Sequence, residues 1–569
     1  MRLSWDAVRD EIFGRNATIL TPYGERFLTY ADYTASGRGL YFIEKYLQYL
    51  LEQYANTHTE DDSTGRLTSG RLAAAQGLIK ERLNAGDDYY LISTGSGATS
   101  AILRLQQILG IYIPPVTRER LGLSRSDGTP PEELKSYPVV FVGPYEHHSN
   151  EISWREGLAE VVEVDLGPDG ALSLDDLEAK LSDPRWKGRE KIGSFSAASN
   201  VTGIRTDVYA VARTLHRHGA RAFFDYSAAA PYVRIDLSPD EENYLDGVFF
   251  SPHKYLGGPG AGGILVIHKS VYRRDLPPTV SGGGTVRFVS AERQEYLENV
   301  EAREQAGTPG ILQTIRAALA LDLQHDLGID AIAEREGAFL SRVYRRFAEV
   351  SGIEPIVPES SGERLAIFSF NIRYRDAYLH PRFVVRLLND LFGIQSRAGC
   401  SCAGPYGHRL LGIDPVTSDE YYRLIHEGRE GIKPGWVRLN FHYLMTDDEF
   451  EFLCDAIEFV ARHGRFFLQE YRFDPVGGAW THRDEADEVD GFGIGEALLH
   501  RTGGNDDPDT LLVDTGRGRS IDTMAVQRRY LDEAMERAYQ LAATFHEEEL
   551  KETDRRFIPF WYIEMETTR

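Results

Sequence analysis

Two side chains carry most of the chemical information in this sequence: Lys254 and Cys402. Lys254 stands in FFSPHKYLGGPGAGGIL (249–265), where an apolar run ends, Ser251-Pro252-His253-Lys254 follows, and then glycines. An amine at a strand end, beside glycines that let backbones approach closely, suits a Schiff-base lysine; a surface lysine in a glycine loop is the plainer alternative. Asp225 closes the run ARAFFD upstream. A pyridine ring works as an electron sink only with its nitrogen protonated, and a buried carboxylate supplies that bias; the alternative is a helix-capping aspartate. In GSGATSAIL (95–103), a glycine turn opens a helix, so backbone N–H groups and the Thr99 hydroxyl suit a phosphate. In EHHSN (146–150), His147 follows another apolar run, where an imidazole can stack on a flat ring; an ordinary loop histidine is the alternative. Together these features predict pyridoxal 5′-phosphate on Lys254.

Cys402 lies in SRAGCSCAGPYG (396–407). A thiol there becomes a nucleophilic thiolate where nearby cations lower its pKa. Three other readings stand beside that one. The first is a buried, inert cysteine. The second is a zinc site of Cys400, Cys402 and His408, which lacks a second ligand pair, so no metal is expected. The third is a strained disulfide between near neighbours.

These residues need a scaffold. From about residue 70 to 270, short apolar runs alternate with helical patterns. SGRLAAAQGLIKERLNA (69–85) reads as a helix, and YYLIST (89–94), PVVFVG (138–143), KIGSFSA (191–197), ARAFFD (220–225), GVFFS (247–251) and GILVIH (263–268) read as strands. Continuous apolar strands spaced by helices predict an α/β fold with a mostly parallel sheet. Ligands then sit at the carboxyl ends of the strands, where the unusual residues fall. Past about 340 the pattern predicts a smaller α+β domain, with helices near 334–350 and 381–392 and strands LAIFSFNI (365–372) and WVRLNF (436–441). Residues 470–515 read as loop, and 521–552 as one long amphipathic helix. The closing FIPFWYIEM is too apolar for a free tail and is expected to dock on the body or on a partner. The expected boundaries are 1–65 for an N-terminal segment packing with the small domain, 66–330 for the cofactor domain, 331–468 for the small domain and 469–569 for an extension.

Bulk composition excludes several classes. The chain of 569 residues has a formal net charge of -24 and no basic cluster, so nucleic acid is not an expected partner. Three cysteines are too few for a disulfide framework. With no secretory pattern at the start and no long apolar stretch, a cytoplasmic protein without membrane contact is expected.

In order and spacing over roughly residues 25–465, these motifs resemble the class V aminotransferase-like enzymes, in particular the group II cysteine desulfurases and selenocysteine lyases. YADYTASG (30–37) is similar to the family's substrate loop, SNVTGI (199–204) to its asparagine loop and FFDYSAAAP (223–231) to its pyridine-aspartate strand. SGGGT (281–285) and QAGTPG (305–310) are similar to segments that reach a neighbouring subunit, and VRLNF (437–441) to the strand carrying an arginine for the substrate carboxylate. The resemblance implies a type I PLP-dependent transferase fold with a seven-stranded large-domain sheet, and a homodimer with shared active sites. It implies Lys254 as Schiff-base lysine and proton carrier, Asp225 on the ring nitrogen and His147 stacked on the ring. Ala98, Thr99, Ser251 and His253 would hold the phosphate, with Thr308 arriving from a second subunit. Asn200 would lie by the cofactor and the substrate, and Arg438, assisted by Arg397, would bind the amino-acid carboxylate. Cys402 would take sulfur from L-cysteine as a persulfide, releasing alanine, and pass it to an acceptor protein. The sequence departs from the family at Ala228, where a glutamine is usual; Tyr226 or Ser227 is the nearest substitute hydroxyl. It departs again at Cys400-Ser401, where histidines are common, and at SPHK, where SGHK is common. Two alternatives follow: another reaction of the same cofactor on a different amino acid, and a scaffold that has lost catalysis.

Overall fold

The computed structural model describes residues 3–57, 59, 61–123, 136–484 and 522–563. The apolar runs form one seven-stranded sheet. In chain order its strands are β1 (Tyr89–Thr94), β2 (Val139–Val142), β3 (Glu160–Glu163), β4 (Lys191–Ser196), β5 (Arg221–Asp225), β6 (Gly247–Phe250) and β7 (Gly263–His268). Their spatial order is β1-β7-β6-β5-β4-β2-β3. Only β7 runs antiparallel to its neighbours, β1 and β6. Every residue of β2 and β6 is buried, as a sheet covered on both faces requires.

Register places the chemistry. Asp225 at the end of β5 pairs with Ser196 at the end of β4 and with Phe249 near the end of β6. Lys254 follows β6 by one turn of 3-10 helix. The three strands therefore deliver their terminal side chains to one edge of the sheet.

A second sheet joins β8 (Ile353–Pro355), β9 (Ile367–Tyr374), β10 (Ala377–Leu379), β11 (Arg397–Gly399), β12 (Trp436–Asn440), β13 (Leu550–Glu552) and β14 (Phe560–Ile563). Its main path runs β11-β12-β9-β10-β14-β13, and β8 pairs β9. The N-terminal pair Thr29–Tyr30 lies parallel to Ile394–Gln395. Arg397 and Arg438 face each other across the β11–β12 ladder.

The helices differ from expectation at several ends, among them the close of the first at Arg82 rather than 85 and the span Ile329–Phe347 rather than 334–350. The first begins at Ser63 rather than 69, because the Asp62 side chain caps it by accepting from Gly65 N. The C-terminal helix spans Thr523–Thr544 and stops short of 552. Phe545 turns out of it to pack edge-on against Phe466, and the acidic run Glu547–Glu549 would oppose a helix C-terminus. The closing segment does dock: β14 pairs parallel with β10, and Phe560 and Ile563 join the smaller core with Tyr530, Ala534, Ala538 and Leu541. The loop expected over 470–515 contains a short pair, Tyr471–Phe473 with Trp480–His482; its part from 485 onward, like residues 521, 564 and 565, lies outside the described residues. No helix among the described residues is long and apolar enough to cross a membrane.

Candidate functional site

A cleft of about 260 Å³ opens where the strand ends of the large sheet meet the smaller sheet. It is lined by Lys254, Asp225, His147, Asn200, Ser251, His253, Ala98, Thr99, Cys402, Arg438 and Arg397. These residues, from seven separate segments, thus converge on one space. Thr308 is not among them. It lines an adjoining hollow of about 700 Å³ that shares Ser96 and His253 with the cleft, and its hydroxyl accepts a hydrogen bond from Asn56 Nδ2 at 2.9 Å.

Lys254 and Asp225 form the floor. Burial pushes the Lys254 amine down to about 8, with Asp225 opposing and Arg438 and Arg397 adding to the fall. Burial pushes the Asp225 carboxyl up, against a hydrogen bond from Ser227 N (2.8 Å) and the charge of Lys254. Burial and then Lys254 push His147 down to about 4, so its ring is neutral. Its Nδ1 accepts from Ser149 N at 3.1 Å, which assigns the proton to Nε2.

The glycine turn opens a helix of 12 residues, Gly97–Ile108, with no side-chain cap hydrogen bond and no acidic residue in its first turn. Gly97 has φ +62, and a Cβ there would lie 3.0 Å from both Ser251 Oγ and His253 Cε1. Gly263 at the head of β7 packs so close that a Cβ would fall 2.0 Å from Gly97 O. Ala98 N donates to Ser251 Oγ at 2.8 Å, and the Thr99 and Ser149 hydroxyls pair at 2.8 Å.

The wall opposite is built by arginines. Arg438 is 3% exposed. Its Nη1 donates to Asn200 O and its Nη2 to Asp32 Oδ1, both at 3.0 Å. Arg397 Nε donates to Asp32 Oδ2 at 2.9 Å. Among the described residues, Arg438 Nε, Asn200 Oδ1 and Ser401 Oγ are buried without a hydrogen-bond partner. Such groups are uncommon in a finished core, and all three residues line the cleft.

Cys402 is an exposed free thiol at the mouth. Ser401 and Cys402 both adopt left-handed backbone, φ 54 and 57, which side-chain-bearing residues hold only when their surroundings impose it. Three hydrogen bonds impose it: Asn200 Nδ2 to Ser401 O (2.6 Å), His148 N to Cys402 O (2.9 Å) and Gly404 N to His148 Nε2 (2.9 Å). Cys400 is also free, and the His408 ring contacts Ser418 Oγ at 3.1 Å. Among the described residues, no three His, Cys, Asp or Glu side chains are grouped to hold a metal.

Sequence reasoning passed over three residues of this site: Asp32, His148 and Glu146. Glu146 is buried and pushed up to about 7 by burial, while accepting from Ser196 N (2.8 Å), Ser196 Oγ (2.6 Å) and Asn150 Nδ2 (2.6 Å). A carboxylate beside His147 in EHHSN was the available signal. Of the two hydroxyls weighed against Ala228, Ser227 lines the cleft and sits 3.4 Å from Ser251 Oγ, whereas Tyr226 lines a different cavity.

The cleft fits a flat ring bearing a phosphate. It holds a buried carboxylate that forms no ion pair among the described residues, a neutral imidazole, a desolvated amine, and a helix start kept open by glycine. The sequence profile described as aminotransferase class-V matches residues 130–453. A probable cysteine desulfurase of Halalkalibacterium halodurans is 28% identical over 383 residues, 66% of this chain and 84% of that protein. A cysteine desulfurase of Salmonella newport is 30% identical over 298 residues, 51% of this chain and 68% of that one. Among solved structures, the cysteine desulfurase of Thermococcus onnurineus superposes with a TM-score of 0.60 at 22% identity, covering 76% of this chain and 95% of the other. The cysteine desulfurase CsdA of Escherichia coli gives 0.57 at 22% identity, covering 75% and 93%. The last two show the fold: type I, as the resemblance implied.

Proposed function

The chain belongs to the aminotransferase class-V family, and on that premise we propose that it is a pyridoxal 5′-phosphate-dependent cysteine desulfurase. The observation that carries this reading is that Cys402 lines the same cleft as Lys254, Asp225 and Arg438. When bound, the cofactor supplies an electron sink for the bonds at the amino-acid Cα.

The residues present divide the remaining work. Lys254 Nζ carries the cofactor and moves protons, and an amine drawn to about 8 exchanges them near neutral pH. Asp225 would favour a proton on the ring nitrogen, and the neutral His147 imidazole would cover the ring. Ser251, His253, Thr99 and the helix start would hold the phosphate, and Ala98 would contribute through the Ser251 hydroxyl it already bonds. Arg438 Nε and Asn200 Oδ1 are the free polar atoms to which a substrate carboxylate and ammonium can bond. Arg397 assists from the half-exposed side.

The Cys402 thiolate attacks the sulfur of L-cysteine. An S–S bond forms on Cys402 as the substrate Cβ–S bond breaks, and the three-carbon product takes protons and leaves as alanine. An exposed Cys402 can then hand the sulfur to an acceptor protein. The hollow containing Thr308 is open, and a second copy of the chain seated there would bring its own Thr308 to this phosphate turn, making a homodimer with shared sites.

The test is product identification. Holoenzyme with L-cysteine should release alanine, and Cys402→Ala should abolish release while the cofactor absorbance stays. Pyruvate and sulfide as products, or a rate indifferent to Cys402, would select a different reaction of the same cofactor.

A further inference from the structure

We propose that Asp32 is a specificity-determining residue that tunes the arginine wall to amino acids bearing one acid group. The inference rests on the reading of the cleft as an amino-acid site. Asp32 bridges two guanidinium groups, Arg438 through Oδ1 and Arg397 through Oδ2. Two positive charges and one negative charge leave a single excess positive charge on that wall. A ligand with one carboxylate balances it.

Asp32 is fixed in place. Its backbone oxygen accepts from Ala35 N at 2.9 Å and from Tyr30 OH at 3.1 Å, and the residue is 8% exposed. Those bonds fix its backbone, and the two guanidinium contacts hold the carboxylate itself, so swinging aside for a ligand would break both ion pairs. A substrate carboxylate therefore docks beside it, on the edge of Arg438 that Asp32 leaves open. That edge is defined by the buried and unpartnered Nε, because Nη1 is held by Asn200 O and Nη2 by Asp32. A diacid brings a third negative charge into a space that already holds two. Like charges juxtaposed in a desolvated site discriminate strongly between ligands. Desolvation of Arg438 makes the effect larger than it would be at the surface.

The test is a binding ratio. Holoenzyme is titrated with L-alanine and with L-aspartate, following the cofactor absorption, and the two Kd values are compared. No turnover is needed, so a chain that proves inactive on cysteine still answers this question. Asp32→Asn should shift the preference toward L-aspartate by roughly tenfold or more. Asp32→Glu, which keeps the charge, should leave the ratio within about twofold of wild type. An unchanged ratio in Asp32→Asn, or the same shift in Asp32→Glu, overturns the proposal. If Asp32→Asn does not accumulate folded, Arg397→Gln is compared with the double variant Arg397→Gln, Asp32→Asn, in which the wild-type charge balance is restored. Loss of Asp32 should raise the L-aspartate preference in that background too, and no change there overturns the proposal equally.

Discussion

Asp225 and Lys254 sit at the carboxyl ends of adjacent parallel strands, Asp225 buried and Lys254 partly buried, and each favours the charged form of the other against desolvation. Burial wins for the lysine, whose amine falls to about 8.

That fall has a consequence for the cofactor-free protein. Between pH 8 and a lysine's ordinary 10.5, the unfolded chain binds the Lys254 proton and the folded chain does not. Folding is therefore penalised below pH 8, and the penalty is relieved as pH rises to 10.5. It amounts to about 3 kcal/mol at most. Lys254→Met should remove it. Urea unfolding of both apo proteins at pH 8 and pH 10 should show the variant's advantage shrinking with pH; a constant advantage would mean that the amine is not desolvated.

The Cys402 loop depends on His148 as an acceptor. Burial pushes that imidazole down, which keeps Nε2 free to accept from Gly404 N. His148→Ala should lower kcat by roughly five- to tenfold, the worth of one such hydrogen bond, with KM for L-cysteine unchanged. His148→Gln, whose amide oxygen can accept, should recover part of the loss. A rise in KM with kcat intact would place His148 in substrate binding instead.

The C-terminal strand is structural. Phe560 is 5% exposed and packs edge-on to His380. Phe560→Ala should destabilise the fold by roughly 3–5 kcal/mol by leaving a cavity. Chemical denaturation reads that loss, while kcat/KM of the folded fraction should stay within about twofold.

Much of this was legible from residue order. Strand ends with Asp225 and Lys254, the glycine turn and Cys402 all follow from local pattern, because each signal is contained in fewer than about 20 residues. Asp32 was not legible. Its role exists only because the chain returns 365 and 406 residues later with Arg397 and Arg438. The strands Leu550–Glu552 and Phe560–Ile563 escaped for a related reason: they are three and four residues long, and the second gains strand character from β10 and the first from the second, not from alternation of their own. His148 was hidden behind His147, since adjacent imidazoles in one turn give no clue to which faces the cleft.

The pairing of Thr29–Tyr30 with Ile394–Gln395 also sets a timetable. On the ribosome the early strand emerges first and waits for its mate. At about 5–20 residues per second the gap amounts to roughly 20–70 s. During that interval Ala31 and Tyr33, both buried in the finished protein, have no core to enter, and Asp32 has neither arginine. The oldest part of the cleft is thus the last to acquire its surroundings, and the nascent chain carries a sticky, unfinished amino end that cellular holdases would meet well before synthesis is over.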